Sequence, residues 1–250
     1  MNPRIGGIQS VSTVDWSGHV TSLIFTAGCN FRCPFCQNSA LLPMNSGKEM
    51  KLSELLKRVK KDLVLVDSIG FTGGEPCLQP ELILETFKWS HKNGVKTYLN
   101  TNGSFPSVIE DLANQQLVDY VAFDVKAPLK TSTYSKVIGV SSGVENIVEN
   151  IRDTIRICSS TLLNYEVRTT VVPCLIDDEH SIREIAQAVR DAPSYVLQQF
   201  YPSDTVLNEK LRTTQSPKRR HLHSLAKVAK AEGIRNVYIR TRTHGLEEVG

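Results

Sequence analysis

Hydrophobic positions along the chain fall into short β-rich runs that alternate with stretches of helical period. Val20–Ala27, Ser68–Thr72, Val95–Asn100, Tyr120–Val125, Tyr165–Val172, Tyr195–Tyr201 and Val237–Arg240 read as strands. Helical patterns lie between them, over Leu52–Leu63, Pro80–Asn93, Pro106–Gln115, Val144–Cys158, His180–Asp191 and Arg219–Glu232. In the fourth of these, Ile147, Ile151 and Ile155 recur at helical spacing and mark the expected buried stripe. Ser53 or a neighbour is placed to cap the first helix, and Gly94 to stop the second. Strand followed by helix, repeated with short connections, predicts about six right-handed βα units around a parallel sheet. Six units fall short of the eight that close a full barrel, so an open doubly wound sheet and a partial barrel both fit the pattern. In either case chemistry belongs at the carboxyl ends of the strands.

No internal repeat, low-complexity tract or linker interrupts this pattern. The expectation is one domain over residues 1–250, with a core at about 19–202 and a basic helix–strand extension at about 217–243. Hydrophobic residues make up 40% and charged residues 22%, which excludes wholesale disorder. No apolar run reaches the ~20 residues of a membrane-spanning helix, and Met1–Ser10 lacks the apolar core of a signal peptide. The chain therefore reads as cytoplasmic, a compartment where clustered cysteines point to metal or redox chemistry rather than disulfides. The net charge of +3 hides an asymmetry. Between Pro217 and Thr243, eight basic residues face the single acid Glu232, so the remainder is net negative. Such a stretch suits an acidic partner or a solvated helix face. Tyr238 is its only aromatic, so a base-stacking nucleic-acid surface is not indicated.

The densest chemistry is Cys29-Asn30-Phe31-Arg32-Cys33-Pro34-Phe35-Cys36, just past the first predicted strand. Three thiolates in eight residues can serve one soft metal centre. A structural zinc site takes four protein ligands, and no fourth Cys or His lies nearby. Three cysteines instead leave one iron of a four-iron cubane open to a substrate. A zinc site completed by Cys77 or a distant histidine, and buried thiols without metal, stay open as alternatives. His19, His91, His180, His221, His223 and His244 are scattered and draw no catalytic role. Trp16 and Trp89 read as packing residues, and Cys158, on a helical pattern, as a core thiol.

Cys-x3-Cys-x2-Cys with Phe35 before the third cysteine resembles the signature of the radical S-adenosylmethionine (SAM) superfamily. Phe71-Thr72-Gly73-Gly74-Glu75-Pro76 resembles the segment that pairs with the amino group of SAM there. Glycines permit close backbone approach, and a carboxylate or carbonyl accepts from an ammonium. Asn100-Thr101-Asn102-Gly103 is similar to the Asp-Thr-Asn-Gly segment of glycyl-radical-enzyme activases. Phe123-Asp124-Val125-Lys126 resembles their Asp-x-Lys motif near SAM. Arg168, within Glu166–Pro173, matches a strand whose basic residue sits near the SAM carboxylate. Softer segments look like the activating proteins of anaerobic ribonucleoside-triphosphate reductase: Arg4–Gln9, Ser12–Trp16, Leu197–Pro202 and Asn236–Arg240.

The resemblance implies a partial barrel rather than a doubly wound sheet. It implies one 4Fe–4S cluster on Cys29, Cys33 and Cys36, with SAM chelating the fourth iron. SAM contacts would come from Phe35, Gly73, Gly74, Glu75, Asn100, Thr101, Asp124, Lys126 and Arg168, with Gln198 a polar neighbour of the adenine. An electron from a flavodoxin- or ferredoxin-like donor would cleave SAM to methionine and a 5′-deoxyadenosyl radical. That radical would take a hydrogen from a glycine of the reductase, which the basic stretch at Arg219 and Arg220 would dock. Direct modification of a small molecule or RNA is the second reading, and a metal-binding module without catalysis the third. Four positions depart from the pattern. Ser17 stands where Pro is expected, Cys77 where Thr is usual, and Cys174 where Gly follows Val-Val-Pro. Asn100 removes a carboxylate that helps hold a monovalent cation in a related activase.

Overall fold

The computed structural model describes residues 3–161 and 163–250. The chain forms two units. The first comprises the chain to Asn30, Ala40–Thr101 and Ser107–Ala122; the second comprises Phe31–Ser39, Asn102–Pro106 and Phe123–Gly250.

In the first unit β1 (Arg4–Ser12), β2 (Thr21–Thr26), β3 (Lys48–Glu49), β4 (Ser68–Gly73) and β5 (Lys96–Thr101) lie in the order β3-β1-β2-β4-β5. β2, β4 and β5 are parallel, and β1 runs antiparallel to both of its neighbours. The apolar runs of β2 and β4 are buried almost throughout, as strands covered on both faces must be. Helices α1 (Leu52–Val59), α2 (Pro80–Lys92) and α3 (Pro106–Asn114) follow β3, β4 and β5. Lys51, not Ser53, is the N-cap of α1, and no side chain bonds there. That helix stops at Val59 and a separate 3-10 turn covers Asp62–Val64. Gly94 follows α2 at φ 68°, in its expected stopping place. Trp16 packs with Leu23, Tyr98 and Ala122 and stacks on Tyr120 at 5.2 Å between centroids. β6 (Tyr120–Asp124) starts in the first unit and ends in the second.

The second unit adds α4 (Thr131–Ile138), α5 (Val144–Ser160), β7 (Asn164–Val171), α6 (Glu179–Ala188), β8 (Ser194–Gln199), α7 (Glu209–Arg212), α8 (Arg219–Ala231), β9 (Asn236–Thr241) and β10 (Gly245–Glu248). Its strands lie in the order β7-β8-β9-β10, the first three parallel and β10 antiparallel. The fold is α/β with mostly parallel, open strand pairing. In each unit the parallel strands follow chain order without doubling back, which is the winding of a barrel and not of a doubly wound sheet. The buried stripe of α5 is Val144, Val148, Ile151, Thr154 and Cys158. Ile147 and Ile155 are half-buried flanks of it, so the helix is rotated from the expected face. Burial pushes the Cys158 thiol pKa up to about 12, which keeps it protonated in the core.

Five elements have no counterpart in the sequence pattern: the two-residue β3, the one-turn α7, and β1, α4 and β10. β1 carries two glycines and is largely exposed, so it shows no continuous apolar run. α4 is rich in Thr and Ser, which are weak helix formers. It is held by burying Tyr134, Val137 and Ile138, and Gly139 ends it in the left-handed region. β10 is four residues long and continues β9 through a short turn.

Candidate functional site

In the first unit the strand ends are tied together by backbone. Gly28 N–H donates to the Leu41 carbonyl (2.8 Å) and Cys29 N–H to that of Leu42 (3.1 Å). Gly74 N–H donates to Thr26 O (2.9 Å), and Glu75 N–H to Gly28 O (2.8 Å). The segment after β2 that bears Cys29 and the turn after β4 are thereby laid against one another. A Cβ on Gly74 would sit 2.0 Å from Gly28 O, and one on Gly73, at φ 114°, 2.6 Å from Thr26 N and O. The double glycine is therefore demanded by this packing, whatever binds beside it. Glu75 is fully buried, and its Oε1 accepts the Thr101 hydroxyl at 2.6 Å. Asn100 Nδ2 donates to Thr72 Oγ1 (3.0 Å), whereas an aspartate there would accept. Gly73, Gly74, Glu75, Asn100 and Thr101 are thus gathered at the carboxyl ends of β4 and β5, with the Cys29 segment beside β4.

In the second unit Cys33, Phe35 and Cys36 ride on a loop pinned from two directions. Arg32 N–H donates to Ile138 O at the end of α4 (2.7 Å). From the other direction Asn208 N–H donates to Pro34 O (2.8 Å) and Leu207 N–H to Cys36 O (3.1 Å). Gln37 Nε2 donates to Tyr201 O (2.8 Å) and Ser39 Oγ to Thr205 O (2.6 Å). Cys33 and Phe35 are buried, and all six cysteines are free thiols. Lys126 Nζ donates to Asp124 Oδ2 at 2.7 Å and lies 5.9 Å from the Phe35 ring centroid. Burial opposes the Lys126 charge, but the Asp124 carboxylate and the Cys33 sulfur outweigh it and hold its pKa above the ordinary lysine value. Burial also raises the Cys36 thiol, opposed by the Asn38 backbone and by Lys126 and Arg32. A cation beside buried sulfurs favours their ionised form, which is the form that binds metal.

Arg168 lies within β7, 3% exposed, with its guanidinium ion-paired to Glu166 two residues earlier on the same strand face. Arg240 on β9 approaches the same carboxylate at 3.8 Å. Glu166 has no role in the sequence reading; its spacing of two from Arg168 was the available signal. Gln198 on β8 pairs in register with Thr170 and Arg240 and is half-buried.

No three His, Cys, Asp or Glu side chains among the described residues cluster to hold a single metal ion. Within the second unit the donors fit an iron–sulfur cluster: a buried and a half-buried thiol on a backbone-pinned loop, and an ammonium to support the thiolates. No helix of the described residues is long and apolar enough to cross a membrane.

The model of the radical SAM superfamily matches residues 23–165. A Methanocaldococcus jannaschii protein assigned as a glycyl-radical enzyme activating enzyme is 34% identical over 241 residues, covering 96% of this chain and 97% of its own. The pyruvate formate-lyase 1-activating enzyme of Escherichia coli K12 is 28% identical over 195 residues, covering 75% of each chain. Among solved structures, a radical SAM methyltransferase from Sphaerobacter thermophilus superposes with a TM-score of 0.67 at 16% identity, over 90% of this chain and 67% of that one. At that identity the likeness speaks for the fold alone.

Proposed function

The chain belongs to the radical SAM superfamily, among its glycyl-radical enzyme activating members, and from that premise we propose that it installs the glycyl radical of an anaerobic ribonucleoside-triphosphate reductase. The observation that carries the choice of target is the likeness of the terminal segments. Arg4–Gln9 lies in β1, Ser12–Trp16 leads from the end of β1 into the Trp16 core, and Asn236–Arg240 lies in β9, so these segments are part of the folded units rather than appended.

Cys29, Cys33 and Cys36 would hold three irons of one 4Fe–4S cluster. Cluster and SAM together supply, on one-electron reduction by a flavodoxin- or ferredoxin-like donor, a radical able to abstract hydrogen. The remaining work falls to the protein. The Gly73–Glu75 turn, with its backbone oxygens and the Glu75 carboxylate, offers acceptors for the methionine ammonium. Asn100 and Thr101 line the next strand end. Asp124 holds Lys126 charged beside the buried Phe35 ring on the thiol loop. Arg168, kept in place by Glu166, offers positive charge toward the methionine carboxylate, and Gln198 a polar contact for the adenine.

The test is anaerobic reconstitution with iron and sulfide, reduction by dithionite with SAM, and quantification of 5′-deoxyadenosine. Electron paramagnetic resonance is then recorded after mixing with the reductase or with pyruvate formate-lyase. A glycyl signal on the reductase alone is the expected result. A signal only on pyruvate formate-lyase would reassign the target. Deoxyadenosine with no glycyl signal on either would favour a small-molecule or RNA substrate.

The structure refines the docking idea for the basic stretch. Arg219 Nε donates to Glu247 Oε2 at 2.8 Å, so this arginine ties α8 to β10 and reversing it would disturb the fold edge. Arg220 is exposed without that tie. Arg220→Glu is expected to weaken capture of the reductase about tenfold at low salt while SAM cleavage stays unchanged. Capture at the original affinity would retire the docking role.

A further inference from the structure

We propose that Cys77 is a positioning residue: its thiol donates to the Thr101 hydroxyl, which in turn holds the Glu75 carboxylate in its orientation. The proposal rests on the reading of Glu75 as a SAM contact.

The geometry fixes the direction of each proton. Glu75 Oε1 accepts the Cys77 backbone N–H at 2.9 Å and the Thr101 hydroxyl at 2.6 Å. Thr101 has one hydroxyl proton, and the short bond gives it to the carboxylate. The Thr101 oxygen is then left to accept, and Cys77 Sγ lies 3.5 Å from it, within reach of a thiol donor. Three buried groups form a directed chain, from S–H to O–H to carboxylate. In this chain the thiol acts as donor and Glu75 Oε1 as acceptor.

Burial strengthens the argument. Cys77, Thr101 and Glu75 are 2%, 3% and 0% exposed, so no solvent replaces a lost partner. Burial first, and then the neighbouring Glu75 charge, hold the Cys77 thiol well above its ordinary pKa. A cluster ligand is a thiolate, and a thiolate here would face the Glu75 carboxylate in a dry site. Cys77 is therefore no fourth metal ligand. It does the work of a hydroxyl donor at a position where threonine is usual in the family that the sequence resembles.

The experiment compares Cys77→Ala, Cys77→Ser and Glu75→Gln in the reconstituted protein by iron and sulfide content and by equilibrium SAM binding. Infrared spectroscopy of the S–H stretch in the metal-free protein, wild type against Thr101→Val, accompanies them. Cys77→Ala is expected to keep full iron and to weaken SAM about fivefold, the size of one neutral hydrogen bond. Cys77→Ser is expected to recover part of that loss. In the metal-free protein the Cys77 S–H band should shift when Thr101 becomes valine. Loss of iron from Cys77→Ala would overturn the proposal, as would an S–H band indifferent to Thr101. SAM affinity unchanged in Cys77→Ala but weakened in Glu75→Gln would also overturn it, because the relay would then carry no load. Unchanged affinity in Glu75→Gln would instead overturn the underlying reading of Glu75, and the infrared result alone would then decide the Cys77–Thr101 link.

Discussion

Cys33→Ala protein, reconstituted anaerobically, is expected to lose most of its iron and to release deoxyadenosine only at the protein-free background. Removing a partner that merely orients a metal ligand costs ~10–100-fold in affinity or activity, and removing a ligand itself costs more. The position also matters electrostatically. Lys126 is held charged partly by the Cys33 sulfur, and Lys126 in turn lowers the Cys36 thiol. Deleting Cys33 removes one donor and leaves the ammonium with one sulfur fewer to neutralise. Cys158→Ala is the matched control. Its thiol is a buried, protonated group on α5, so iron and SAM cleavage should be untouched. Its cost should be confined to stability, about 1 kcal/mol. Iron analysis and deoxyadenosine yield on both variants decide the matter. Full iron in Cys33→Ala would remove this cysteine from the ligand set.

The parallel strands and long helices were legible because burial on both faces concentrates β-branched, aromatic and other apolar residues in short runs such as Leu23–Phe25 of β2 and Tyr195–Leu197 of β8. The cysteine motif was legible because its members are adjacent in sequence. What escaped is what the chain sets through distant partners. β1 has only the two-residue β3 on its outer side and four of its nine positions exposed, and α4 contradicts its own propensity and is held only by burying Tyr134 and its neighbours. The helical period of α5 was right, yet of the three isoleucines singled out only Ile151 lies on the inward face, which Val144, Val148, Thr154 and Cys158 complete. Periodicity gives a stripe, and only tertiary packing chooses which edge of it is central. The same holds at the site. Arg168 was found by likeness, whereas the buried Glu166 that pairs with it needed the strand face to be known. The carbonyls of Pro34 and Cys36 are held by Asn208 and Leu207, a pairing with no local trace in the sequence.

The second large effect falls on a glycine outside every motif. Gly139 ends α4 at φ 65°, and a Cβ there would stand 2.2 Å from the Arg32 carbonyl oxygen and 2.9 Å from its carbon. Both neighbours are backbone, so neither can swing aside, and Arg32 N–H is already bonded to Ile138 O at 2.7 Å. Gly143, at φ 68°, has nothing within 4 Å of its own built Cβ. The two positions share the left-handed strain of about 1–2 kcal/mol for a non-glycine residue and differ only in what the added methyl meets. Gly143→Ala is therefore expected to lower the melting temperature by a few degrees and to leave iron content intact. Gly139→Ala must also push away the loop that carries Cys33 and Cys36, so its total cost is expected to be about 3 kcal/mol or more. Its iron content should fall even at temperatures where the chain remains folded by circular dichroism. Equal iron in the two variants would mean that the loop yields without moving its thiols. The contact between α4 and Arg32 would then be packing alone, and no determinant of the metal site.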